Sequence, residues 1–230
     1  MTKLLIIGGG AAGLTAAGFA AQRGIDTTVL ERNARPARKL MITGKGRCNV
    51  TNACTLINEL MDAVPVNNRF LYGAFSRFMP SDTIDLFEGL GVPLKIERGN
   101  RVFPESDKAA DIVDALVKFA QKSGAKIKTD TRVSALITEN GEITGVKTEN
   151  GEHISAGAVI IATGGKSYPL TGSTGDGYTL AKSVGHTVTP LKGSLVPLET
   201  EEDWCRECTG LSLKNVSLSV YDNEKFKEVY

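Results

Sequence analysis

Cysteine is scarce in this 230-residue chain: only Cys48, Cys54, Cys205 and Cys208 are present. That is too few for a disulfide scaffold and fits a reducing, cytoplasmic setting. Metal-site residues are scarce as well. Cys205-Arg206-Glu207-Cys208 spells a CxxC, but no second CxxC and no paired histidine are there to complete four zinc ligands. It reads as two incidental thiols beside Trp204 rather than a redox pair or half of a zinc site. The two histidines, His153 and His186, are isolated in strand-like contexts without a visible carboxylate partner, so neither reads as an acid or a base. An excess of one charge sign is missing too, with 27 Lys and Arg against 26 Asp and Glu. Near-neutrality gives no electrostatic case for nucleic acid or an anionic membrane as the main partner, which leaves a small molecule; oligomeric state stays open. No stretch beyond an N-terminal one approaches transmembrane length, and no internal repeat is visible.

Glycine is plentiful, at 25 residues, and most of it falls in motifs, as in a chain that must approach a ligand closely at several places. The first motif is the most informative. An apolar run over residues 4–7 leads into Gly8-Gly9-Gly10-Ala11-Ala12-Gly13, and Glu31 follows with seventeen residues between it and Gly13. This is the spacing of a dinucleotide-binding βαβ unit. Gly8 allows the tight turn out of the strand, Gly10 lets the backbone approach a pyrophosphate, and Gly13 permits close helix-to-strand packing. The phosphates sit at a helix N-terminus, where unpaired N–H groups and the helix dipole attract anions. Glu31, at the tip of a second strand over residues 27–30, can accept hydrogen bonds from ribose hydroxyls and disfavours a 2′-phosphate. The helix over residues 11–23 carries Leu14, Ala17, Gly18 and Ala21 on one face and closes at Gly24. Lys3 followed by a nearly uncharged run to Ala21 could pass for a signal peptide, but cleavage would destroy the fingerprint spacing, so the segment reads as mature, cytosolic protein.

A basic, loop-like stretch over residues 32–52 follows and looks like a ligand-wrapping loop. Ser81 and Asp82 are N-cap candidates for a helix ending near residues 89–91. Residues 94–96 and 101–103 predict a hairpin turning at Gly99-Asn100, and residues 108–122 predict a helix capped by Ser106 or Asp107. The period then changes to two. Residues 127–129, 133–138, 143–148 and 153–155, with turns at Asn140-Gly141 and Asn150-Gly151, predict a small antiparallel meander. The continuous apolar run over residues 158–161 suits a strand buried on both faces, and it ends in Ala162-Thr163-Gly164-Gly165, a glycine loop where open α/β sheets bind ligands. A glycine-rich segment over residues 171–177 opens a helix through Val184. Asp176 there either caps that helix or touches ligand. Beyond Gly185 the pattern is β-like again, with a turn at Asp222-Asn223.

In this order the pieces resemble the BaiN/RdsA family of FAD-dependent oxidoreductases, also described as aminoacetone-oxidase-like flavoproteins. Four segments carry the match: Ile6-Ile7-Gly8-Gly9-Gly10-Ala11-Ala12-Gly13; Thr43-Gly44-Lys45-Gly46-Arg47-Cys48-Asn49-Val50-Thr51-Asn52; Arg101-Val102-Phe103-Pro104; and Ala162-Thr163-Gly164-Gly165-Lys166-Ser167-Tyr168-Pro169 running on to Gly177. The resemblance implies a glutathione-reductase-like, Rossmann-type three-layer α/β domain with an antiparallel β-meander over residues 1–192, including a helical insertion at about 55–123. Residues 193–230 would begin a β-rich second domain. It implies FAD, with NAD(P)H as a possible electron donor. Ala11, Ala12 and Gly13 would meet the pyrophosphate, Glu31 the adenosine ribose, and Arg32 and Lys39 the surrounding adenosine and phosphate region. Gly44, Gly46, Arg47, Cys48 and Asn49 would run past the pyrophosphate and ribityl chain towards the flavin, with Arg47 offsetting phosphate charge. The Val133 backbone would lie against the adenine edge, and Thr163, Gly164 and Gly165 would close over the cofactor. Cys48 reads as a packing residue, with a redox thiol whose pKa is lowered by Arg47 as the alternative. Tyr168 reads as a packing tyrosine, or one facing the flavin.

The family's polypeptide is considerably longer, so the chain reads as an N-terminal fragment that binds FAD weakly and turns over poorly. Gly193 stands where the family usually has Pro, with only local loosening expected. A catalytic residue and the substrate are not read from these residues. An NAD-only dehydrogenase is the rival within enzymology, and a non-catalytic dinucleotide-binding fragment the rival outside it.

Overall fold

The computed structural model describes residues 3–193, 199–213 and 216–229. The stretch after Gly193, Ser194 to Leu198, lies outside them. The chain divides into a unit of residues 1–188 and a unit of residues 189–230.

In chain order the first unit contains β1 (Leu4–Ile7), α1 (Ala11–Gln22), β2 (Thr27–Leu30), a tight 3₁₀ turn (Leu40–Gly46), β3 (Thr51–Asn52), α2 (Ile57–Asp62), α3 (Tyr72–Phe75), α4 (Pro80–Gly89), β4 (Leu94–Glu97), β5 (Arg101–Pro104), α5 (Ala109–Lys122), β6 (Lys126–Lys128), β7 (Val133–Glu139), β8 (Glu142–Thr148), β9 (His153–Ser155), β10 (Ala158–Ile161) and α6 (Asp176–Ser183). The organising sheet is parallel, in the order β10-β1-β2-β6. Its central strand is apolar at every position because both faces are covered. Successive side chains point to opposite faces, so Leu4 and Ile6 join Leu14, Ala17, Ile112 and Leu116 of α1 and α5 in one core, whereas Leu5 and Ile7 join Val133, Val146, Ile154 and Leu180 in another. The result is three layers: helices, parallel sheet and the meander β7-β8-β9. The helical layer is tightly seated, because Phe119 of α5 fills the space where Gly18 of α1 has no side chain, and it stacks edge-on with Phe19 at 5.3 Å.

Four details depart from the sequence expectation. Residues 126–128 do not join the meander; β6 pairs parallel with β2 through Thr28↔Lys126, Val29↔Ile127 and Leu30↔Lys128. A three-residue strand has no periodicity of its own, and the helix α5 that precedes it imposes the right-handed β-α-β crossover that makes it parallel. The strand β10 is not buried on both faces: it is the edge of the sheet, and Ile160 and Ile161 are 38% and 36% exposed. A third is the capping of α4, which begins at Pro80 with Met79 as its N-cap, two residues before a Ser81 cap and three before an Asp82 cap would start it. Pro fits the first helical position because its missing N–H has no partner there, and the Asp82 carboxylate accepts from the Met79 N–H at 2.6 Å. Fourth, α5 is capped at Lys108, while Ser106 accepts from the Lys108 N–H and donates to Asp111. The predicted hairpin forms, turning through Gly99 and Asn100, both with positive φ; β3, too short to be read from pattern, adds a third strand on β5.

The second unit contains α7 (Trp204–Glu207) and the hairpin β11 (Ser219–Asp222) and β12 (Lys225–Val229), which turns at Asn223-Glu224 and stacks Tyr221 on Phe226 at 5.9 Å. Trp204, Leu211 and Leu213 are each more than 60% exposed. Cys205 and Cys208 are free thiols, and no cluster of metal-ligating side chains exists among the described residues.

Candidate dinucleotide site

The site forms where β1 delivers the chain to α1. Gly8 turns with φ +105°, and a Cβ on it would lie 2.6 Å from the Ala162 carbonyl oxygen, so the loop after β1 and the loop after β10 touch backbone to backbone. Gly13 is packed just as closely, since a Cβ there would overlap the Gly8 carbonyl oxygen. Gly10 is different: nothing lies within 4 Å of the place its Cβ would occupy. The open space in front of it is a cavity of about 620 Å³. Gly8, Gly10, Ala11 and Ala12 form one wall, at the N-terminus of a 12-residue helix that has no side-chain cap. Unpaired helix N–H groups facing an open cavity are an anion site.

The floor is the end of β2. Glu31 is 6% exposed, and its carboxylate is held by three N–H donors: Gly9 N–H to Oε2 at 2.7 Å, and Asn33 N–H and Nδ2 to Oε1 at 2.8 and 2.6 Å. Glu31 therefore does more than border the cavity; it is the strut of the glycine loop. Nothing in the motif's spacing announced those donors.

Arg32, Arg132 and Val133 line the cavity on the side of the meander, and Asp176 faces them from the first turn of α6. Its carboxylate accepts from Arg32 Nη1 at 3.3 Å, Arg132 Nε at 3.0 Å, Arg132 Nη2 at 3.4 Å and the Thr174 hydroxyl at 2.7 Å. Burial alone pushes the Asp176 carboxyl up, but the hydrogen bonds from Arg132 and Thr174 and the charges of Arg132 and Arg32 outweigh it and hold the carboxyl below its ordinary value. Asp176 thus joins three segments across the cavity and does not cap α6, whose N-cap is Gly175 with no side-chain cap bond. Arg132, which sequence reasoning passed over, is the principal partner. A carboxyl lowered in the folded state contributes stability that is full above its unfolded pKa, about 3.9, and is lost as pH falls through the folded value. Asp176→Asn is expected to cost about 1–3 kcal/mol at pH 7 in urea denaturation, with the gap to the parent closing as pH falls through the carboxyl's lowered folded value; a gap constant with pH would contradict this.

Thr163 and Gly164 form the remaining wall. The Thr163 hydroxyl is buried beside Gly177 with no partner among the described residues, an orphan at the edge of the cavity. Lys39 lines the cavity and donates to the Ser167 carbonyl at 2.8 Å. Gly44, Gly46, Arg47, Cys48, Asn49 and Gly165 are not on the cavity wall; Leu40 and Thr43 represent their segment there. Cys48 is 1% exposed, its thiol pushed up by burial against a hydrogen bond with Thr43, and it borders a second, apolar cavity of about 460 Å³ beside α1, α4 and α5. That is the packing role. Tyr168 is 67% exposed and off the cavity wall.

A parallel sheet flanked by helices and a meander, with a glycine loop and a buried acid at the ends of adjacent strands, is the Rossmann-type FAD-binding fold. Two solved structures share it: an open conformation of a flavocytochrome c3 fumarate reductase, at TM-score 0.63 and 21% identity over 81% of this chain and 41% of that one, and 3-ketosteroid-delta4-(5alpha)-dehydrogenase from Rhodococcus jostii RHA1, at TM-score 0.57 and 18% identity over 73% and 47%. Residues 2–230 match the HI0933-like protein Rossmann domain, and the chain belongs to that family, in keeping with its resemblance to the BaiN/RdsA group. The 3-dehydro-bile acid delta(4,6)-reductase of Clostridium scindens is 36% identical over 208 residues, 88% of this chain and 48% of that protein. The ribosomal RNA dihydrouridine synthase of Escherichia coli is 32% identical over 193 residues, 84% and 47%. The chain spans about half the length of the curated relatives it matches. No helix among its described residues is long and apolar enough to cross a membrane.

Proposed function

We propose that this chain is the FAD-binding portion of a longer, cytoplasmic, NAD(P)H-linked oxidoreductase. The observation that carries the reading is that the bare N-terminus of α1, the buried Glu31 and the Thr163-Gly164 turn border one cavity. The residues suit FAD. Ala11 and Ala12 offer N–H groups to the pyrophosphate, with Gly13 holding the helix close enough to do so; Glu31 has acceptor lone pairs left for the adenosine ribose; the Val133 backbone borders the adenine; Arg32 and Lys39 supply positive charge; and Thr163, with its orphaned hydroxyl, and Gly164 close the far side. FAD, when bound, supplies hydride transfer.

A 3-dehydro-bile acid delta(4,6)-reductase and a ribosomal RNA dihydrouridine synthase both add hydrogen across a ring C=C, in a bile acid and in a uridine of ribosomal RNA. We extend that reaction class to the protein of which this chain is part, acting on a small organic substrate. The near-neutral charge of these residues favours that over RNA. Titrating the purified chain with FAD, then adding NADH or NADPH, tests the reading. Weak flavin binding and slow NAD(P)H oxidation are expected. A tight stoichiometric yellow complex with rapid oxidation would contradict the portion reading, and a folded chain that takes up no flavin would contradict the FAD reading.

A further inference from the structure

Arg47 is the residue of the 43–49 loop whose expected role and observed place differ most. Its guanidinium does not reach the cavity. Nη1 and Nη2 pair with Glu97 of β4 at 2.8 and 3.3 Å, Nη1 also reaches Asp107 at 3.2 Å, and the group stacks 4.0 Å over the Phe103 ring of β5. Lys95 joins from β4, 2.7 Å from Asp107. Two carboxylates and an aromatic face thus occupy a cation that a phosphate would otherwise claim. The loop being held is a strained one. Gly44, Lys45, Gly46 and Cys48 all have positive φ, Cys48 bonds back to the Thr43 carbonyl at 3.0 Å, and Thr43 is the loop's residue on the cavity wall. The Phe103 ring under Arg47 also lies against Gly44, 2.9 Å from where a Cβ would stand.

We infer that Arg47 is a positioning residue: clamped by Glu97, Asp107 and Phe103, it fixes the 43–49 loop in its left-handed path so that Thr43 presents the cavity wall beyond the pyrophosphate. It does not contact the phosphates. The inference rests on the FAD reading above, and its consequence is a split between two ligands. ADP fills only the half built by Gly8–Gly13, Glu31 and Val133, whereas FAD also crosses the wall set by Thr43.

Three variants of the chain test this by equilibrium titration with ADP and with FAD. Arg47→Met weakens FAD about tenfold and leaves ADP within about twofold. Glu97→Gln with Asp107→Asn, which keeps Arg47 but frees it, also weakens FAD; a phosphate-binding Arg47 would gain affinity for both ligands. The charge exchange Arg47→Glu with Glu97→Arg restores FAD affinity to within about threefold of the parent. In the ligand-free chain, hydrogen exchange at the Cys48 amide is accelerated in the first two variants and slowed again in the exchange. Parallel loss of ADP and FAD, or tighter binding on freeing Arg47, overturns the proposal. If the parent binds ADP but no FAD, the FAD reading falls while the amide exchange still decides the clamp.

Discussion

Gly13→Ala is expected to destabilise the chain by about 3 kcal/mol or more and to remove dinucleotide binding. The added Cβ would overlap the Gly8 carbonyl oxygen and lie 3.1 Å from the Gly8 carbonyl carbon. Those are backbone atoms. Gly8 cannot retreat, because its N–H is bonded to the Leu30 carbonyl at 2.8 Å and its own Cα side faces Ala162. Either α1 tilts away from β1 or the turn after β1 opens, and both dismantle the anion site. Gly10→Ala is the control. With open space around it, its effect on thermal or urea unfolding is a few tenths of a kcal/mol, while FAD binding falls because the methyl group enters the cavity. Equal destabilisation by the two substitutions would contradict the packing argument.

Glu31→Gln carries the second large effect. The carboxylate accepts three N–H bonds in a buried setting, one of them from Gly9 inside the fingerprint loop. An amide has only one accepting oxygen, so whichever way the side chain turns, an NH₂ faces an N–H donor. A loss of about 2 kcal/mol in unfolding free energy follows, together with at least tenfold weaker ADP and FAD binding, because the loop that presents Ala11 and Ala12 loses its strut. Circular dichroism during urea unfolding and a parallel nucleotide titration check both halves; unchanged stability with weakened binding would mean that Glu31 serves only the ribose.

What could be read beforehand, and what could not, divides along physical lines. The β1-α1-β2 unit, α5, α6, the meander and the hairpin turning at Gly99-Asn100 announce themselves through periodicity and turn residues, which are local properties. The strand β6 does not, because three residues show no period and its partner is chosen by the crossover through α5. Nor does the edge position of β10: an apolar run reports affinity for a sheet, not the number of neighbours it finds there. At the site, glycines and Glu31 are visible because backbone approach and a strand-end acid have fixed spacing. The Arg132–Asp176 and Arg47–Glu97 pairs lie 44 and 50 residues apart in the chain, and no pattern joins such residues before the fold does. Arg47 illustrates the consequence: a basic residue in a glycine loop suggests phosphate, and only its distant carboxylates redirect it.

The central claim is that one cavity at the N-terminus of α1 holds the ADP end of FAD. Competition between ADP and FAD for the purified chain, followed by flavin fluorescence, tests it most directly. We predict a single site at which ADP displaces FAD completely, with both affinities lost in Gly13→Ala. Binding of FAD that excess ADP leaves untouched, or that survives in Gly13→Ala, would contradict it.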